Sequence, residues 1–123
     1  MSVWAYLAAT LGVGVGACVR FSLGWLDRPK TFPWPTILAN LLGSALLGAV
    51  LALSDGGALS PGVTFALGTG VAGGLSTFSS LAVDALVLWR DGRRTAATAY
   101  LAGTLVLGLA SAAAGFAVAD ALA

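Results

Sequence analysis

The residues with most chemistry to offer lie in one run, Gly73-Gly74-Leu75-Ser76-Thr77-Phe78-Ser79-Ser80. Adjacent glycines followed by hydroxyl residues make a poor helix core. The run lies inside a long apolar segment, so unwound backbone there must be satisfied by protein, water or an ion. Freed carbonyls could ligate a small cation, and hydroxyls could line an anion path. The plainer alternative is a glycine kink with Ser and Thr bonded back to the helix. The length of the run and its aromatic, Phe78, weigh against that alternative.

Other polar residues share this depth, where each is a functional hypothesis by default. Thr36, Asn40, Ser44 and Gly48 recur at helical spacing and make one polar, small face. The Asn40 amide offers donors to an anion, and it equally suits structural bonding between helices. Arg20 reads as an interface anchor with its charge in water, or as a vestibule cation that concentrates anions. Tyr100 and Thr104 form a second stripe that continues toward Gly108 and Ser111. Tyr100 also fits an interfacial aromatic belt. Asp84 suits bonding at later turns of its own helix or a place at the interface beside Trp89, and no catalytic role is assigned to it.

These residues need elements that hold them in lipid. Of the 123 residues, 59% are hydrophobic and 9% charged, too little polar surface to keep such a chain in water. A net charge of +1 gives no reason to expect nucleic-acid binding. With no histidine and a lone cysteine, Cys18, neither zinc nor haem is expected. No nucleophile–base constellation suggests an enzyme. The start, Met1 to Thr10, has no basic flank and runs on past Gly16, so it reads as a first span rather than a signal peptide.

A spanning helix takes roughly 20 apolar residues. Four segments qualify, at about 3–25, 35–53, 61–89 and 95–118, and together they form a single transmembrane domain. The third is too long for one straight span and contains Gly68, Gly70, Gly73 and Gly74, so a tilted or broken helix is expected. Trp4, Trp25, Trp34 and Trp89 fall near span ends, where their rings favour the headgroup layer. Small residues four apart recur on every helix: Gly12 with Gly16, Ser44 with Gly48, Gly70 with Gly74, Gly108 with Ala112. Such faces pack helices closely, within one bundle or between subunits.

The first and third loops must share a side of the membrane, and they hold Arg28, Lys30, Arg90, Arg93 and Arg94. The other side has Asp55, Asp120 and no lysine or arginine. By the positive-inside rule both termini face away from the cytoplasm.

Three ordered segments resemble the CrcB/Fluc family of fluoride channels: Gly16-Ala17-Cys18-Val19-Arg20-Phe21, Pro35 through Ser44 around Thr36 and Asn40, and the run 73–80. The resemblance covers nearly the whole chain. It implies a multi-pass inner-membrane channel that passively exports cytoplasmic fluoride, built as an antiparallel dual-topology dimer with two pores. It implies a structural sodium ion, Na+, at the dimer centre, held by the Gly73 and Ser76 carbonyls of both subunits. It implies Asn40 as a pore donor and Phe78 as a pore-lining ring. Thr36, Thr77, Ser80 and Tyr100 then belong to the anion path, and Arg20 to a vestibule. The fluoride path would need no covalent chemistry.

The chain departs from that pattern at Leu81, where the family has a second phenylalanine, and at Asp84, where it commonly has glutamate. A leucine lacks the polarised ring edge that can face an anion. With the one-sided loop charge, Leu81 points to pairing with an oppositely oriented paralogue, or to a non-conducting partner subunit. A small multidrug exporter is the competing transporter class, but it needs an acid at depth on an early helix, and the first two spans have none.

Overall fold

A computed structural model describes residues 1–26 and 32–123; Arg28 and Lys30 of the first loop lie outside the described residues. The described residues form helices and turns without strands, and four helical stretches are long and apolar enough to cross a membrane.

Helix α1 spans Val3–Leu23 and starts where the Ser2 hydroxyl accepts the Ala5 N–H at 3.3 Å. A short 3-10 turn, Gly24–Leu26, follows it. Helix α2 spans Trp34–Asp55, with Pro35 in its first turn, where a missing N–H costs nothing. It ends at Gly56 and at Gly57, whose φ of 78° favours glycine.

The third span comes in two parts. Helix α3 begins at Pro61–Phe65, capped by the Ser60 hydroxyl, widens into a π-helical stretch at Ala66–Ala72, and closes with an α turn at Gly73–Leu75. The chain then unwinds over 76–78, with Ser76 extended at φ −79° and ψ 156°. Helix α4, Ser79–Arg90, completes the span. Helix α5, Arg94–Leu122, is the longest at 29 residues, and Arg94 lies over the Trp89 ring at 4.9 Å.

The break is therefore narrower than the run 73–80. Gly73 and Gly74 are helical, and the reason lies in α1: a Cβ on Gly74 would sit 2.8 Å from the Val13 Cα. Glycine here serves close approach rather than unwinding. The π-helical widening just before it is not legible in the sequence.

The small-residue pairs meet one another inside the chain. Along the α1–α3 seam, a Cβ on Gly12 would lie 2.8 Å from the Ala66 carbonyl, and one on Gly70 2.7 Å from the Ala9 carbonyl. Along the α2–α5 seam, Gly48 faces the Ala112 carbonyl and Gly115 faces the Ala45 carbonyl, with no room for a side chain. Near the α2 start, Ile37, Ala85, Leu88, Ala97 and Tyr100 form a buried cluster that joins α2, α4 and α5. Large apolar side chains such as Leu11, Leu105 and Leu109 face outward, as a lipid-embedded surface requires.

Candidate functional site

In an uninterrupted α-helix each N–H bonds the carbonyl four residues back. At the break, side chains take over several of those bonds. The Thr77 N–H, which would bond the Gly73 carbonyl, donates to Asn40 Oδ1 at 2.6 Å. The Ser80 N–H, which would bond the Ser76 carbonyl, donates to Thr77 Oγ1 at 3.2 Å. The Gly74 carbonyl accepts from Arg20 Nε at 3.2 Å. Regular bonding survives on either side: the Ser76 N–H reaches the Ala72 carbonyl at 3.1 Å, and the Ala82 N–H reaches the Phe78 carbonyl at 2.9 Å. Gly73 and Ser76 are thus the carbonyls whose usual donors have been diverted.

Asn40 is buried, and its bond to Thr77 sets which way the amide faces. Oδ1 must be the acceptor, because a backbone N–H can only donate. Among the described residues no acceptor bonds Nδ2. Structural bonding and donor supply are therefore not alternatives for this residue: one end of the amide holds the break while the other stays available.

A groove of about 440 Å³ opens beside the break, lined by Arg20, Thr36, Thr77, Ser80 and Asp84, with Phe21, Trp25, Pro33 and Pro35 among its apolar walls. Helix α1 supplies the cation, α2 the threonine, and the break with α4 the remaining hydroxyls and the acid. Thr36 Oγ1 donates to Asp84 Oδ2 at 2.8 Å, and Tyr100 OH donates to the same oxygen at 3.0 Å. Each hydroxyl has a single proton. Both protons point at the Asp84 carboxylate, and only lone pairs are left for the groove.

Asp84 is the residue that sequence reasoning undervalues. It bonds neither its own helix nor the interface, but two other helices. Tyr100 likewise is no belt residue: it is fully buried, with Phe32 edge-on to its ring at 5.5 Å. The signal that exists is a lone acid in a span that also meets hydroxyls at helical spacing. Thr104 is buried with no partner for its hydroxyl among the described residues. Ser76 keeps the plain arrangement, its hydroxyl bonded back to Ala72 at 2.9 Å.

The remaining candidates separate. Phe78 is 80% exposed in the single chain, and Gly73 is exposed as well. Leu81 turns inward and packs on the Tyr100 cluster. Arg20, Thr36, Thr77 and Ser80 share the groove, Asn40 joins it through Thr77, and Tyr100 joins through Asp84.

The family profile described as CrcB-like protein, Camphor Resistance, matches residues 7–116. The chain belongs to the CrcB family. A fluoride-specific ion channel FluC from Thermus thermophilus is 42% identical over 125 residues, covering 99% of this chain and 98% of the relative. The FluC of Gloeobacter violaceus is 38% identical and covers 91% of this chain and 93% of its own. That of Xanthomonas euvesicatoria is 43% identical, with 89% and 85% covered. The break and the groove both fall within the part that the CrcB profile matches.

Proposed function

We propose that this chain is a subunit of a fluoride-selective passive channel that exports fluoride from the cytoplasm. The observation that carries the proposal is the oriented amide of Asn40, with Oδ1 on the break and Nδ2 without an acceptor among the described residues. The name shared by its relatives, fluoride-specific ion channel, supports the choice of anion. Fluoride is small and strongly hydrated, so a dry path must replace its water with good donors. Asn40, Arg20, Ser80 and Thr77 supply them. Asp84 keeps the Thr36 and Tyr100 protons on itself, so these two hydroxyls offer the groove lone pairs rather than donors. No step of this transport needs an enzyme's chemistry.

A structural sodium fits the residues present. Gly73 and Ser76 have lost their helical donors, and carbonyl oxygens are the ligands a hard cation prefers. Gly73 is exposed in the single chain, which suits a site completed by a second subunit. Bound there, the ion would add fixed positive charge and tie two breaks together. The second subunit would lie antiparallel, and the exposed Phe78 ring would find its partner surface there.

The five basic loop residues, Arg28, Lys30, Arg90, Arg93 and Arg94, set one orientation, with both termini outside. The antiparallel partner is then an oppositely biased paralogue. Leu81 favours a second reading, in which this chain completes the dimer while the partner provides the conducting aromatic pair.

Efflux from proteoliposomes tests the proposal. Fluoride should leave much faster than chloride, from this chain alone or together with a paralogue. Equal rates, or no fluoride efflux from either preparation, would overturn the channel reading. Termini that label from both sides when the chain is expressed alone would remove the paralogue.

A further inference from the structure

Arg20 lies in the last turn of the first span, where an arginine either reaches the interface or pairs with a charge or with backbone carbonyls. Its Nε bonds the Gly74 carbonyl, 54 residues away in sequence. That carbonyl belongs to the last turn before the break, at the end of α3. Carbonyls at a helix C-terminus lack intrahelical donors and carry partial negative charge. A guanidinium there supplies both a donor and the complementary charge.

The approach that makes this bond is built into α1. Gly12, Gly16 and Arg20 recur four apart, so they share one face. A Cβ on Gly16 would lie 2.6 Å from the Leu75 nitrogen and 2.9 Å from the Gly74 carbonyl carbon. The two backbones therefore touch one turn before Arg20, and the next position along the stripe reaches the freed carbonyl. A snorkelling anchor needs no such register, and a vestibule cation needs no bond from Nε.

We propose that Arg20 is a positioning residue: by donating from Nε to the Gly74 carbonyl it caps the end of α3 and holds the break at 76–78 in register with α1. Asn40 grips the other strand of the same break through Thr77. The two side chains hold Gly74 and Thr77, the residues that directly follow Gly73 and Ser76, and so fix where those two diverted carbonyls point. The bearing of this on fluoride flux rests on the channel reading above; the bearing on the break does not.

Two substitutions separate the donor from the charge. In Arg20→Gln the amide Nε2 stands as many bonds from Cβ as the arginine Nε, so the donor stays and the charge goes. In Arg20→Lys a methylene stands there, so the charge stays and the donor is displaced. Hydrogen exchange of the full chain in detergent, read on peptides covering 73–80, requires no fluoride. Arg20→Lys should speed exchange there about tenfold, with α5 unchanged, and Arg20→Gln should match the parent. Fluoride efflux should follow the same order, with Gln above Lys. Equal exchange in all three proteins overturns the proposal. So does a rise that Gln shares, or one that extends across α5. A vestibule-charge role predicts the reverse order in efflux, with Lys retaining flux and Gln losing it. Fluoride efflux absent from the parent, both alone and together with a paralogue, would sink the channel reading while leaving the exchange result to decide the role of Arg20.

Discussion

The α1–α3 and α2–α5 seams are both made from small residues, yet they do different things. On the α2–α5 seam two unbroken helices meet at Gly48 and Gly115, and each glycine lies against a partner carbonyl that its own helix already bonds. That contact is packing alone. On the α1–α3 seam the stripe of Gly12 and Gly16 runs on to Arg20, and the partner helix ends there. The same closeness then delivers a charged donor to a carbonyl that has lost its own. Small residues bring backbones together in lipid; a polar function appears only where one of those backbones is interrupted.

The largest effects should come from breaking closeness itself. Gly48→Leu puts a side chain where the Ala112 carbonyl stands, and Gly16→Leu does the same against Val71 and Leu75. Both should abolish a monodisperse peak in size-exclusion chromatography, because neither seam can move apart without unpacking its helix. If one seam tolerates its leucine, the two are less alike than their glycines suggest.

Next comes the interrupted side. Asn40→Asp keeps an oxygen for the Thr77 N–H but replaces the amide donors with an acceptor and a charge beside the proposed anion path. Fluoride efflux should fall to background while the chromatographic profile stays that of the parent. Unchanged efflux would remove Asn40 from the path and leave it a purely structural bond. Tyr100→Phe is milder. It deletes one of the two hydrogen bonds to Asp84 and keeps the ring against Phe32, so thermal unfolding in detergent should show a loss of about 1 kcal/mol. The smallest effect is a control within one helix: Gly103 has open space around it whereas Gly115 has none. Gly103→Ala should be neutral or raise stability by up to about 1 kcal/mol through helix propensity. Gly115→Ala should destabilise clearly in the same assay.

Much of this is legible in the sequence, and the limits have physical causes. Hydrophobic length alone marks the four spans, because lipid demands it. The observed helices shift their ends only slightly, with the last running on to Leu122 rather than 118. The polar run and the stripe from Thr36 through Asn40 are visible as periodicity. What periodicity does not contain is the partner. The Asp84 bond to Thr36 crosses 48 residues and the Arg20 bond crosses 54, so each exists only once the helices are packed. The glycine pair at 73–74 reads as unwinding, because glycine weakens a helix in isolation. Against Val13, Gly74 instead lets a helix continue where a side chain would have collided.

The π-helical stretch at Ala66–Ala72 has a geometric consequence for the whole third span. A π turn takes in more residues than the 3.6 of an α turn, so it retards the angular phase of everything downstream. The same seven residues wound as an α-helix would carry Gly73, Gly74 and Ser76 further around the helix axis by about 100°, one residue's turn. Gly74 would leave Val13, and its carbonyl would turn away from Arg20. A one-residue deletion within 66–72 would instead let the stretch relax to an α-helix and keep that register. That short stretch acts as the clocking element of the third span, and its wider winding is as specific a part of the site as any side chain.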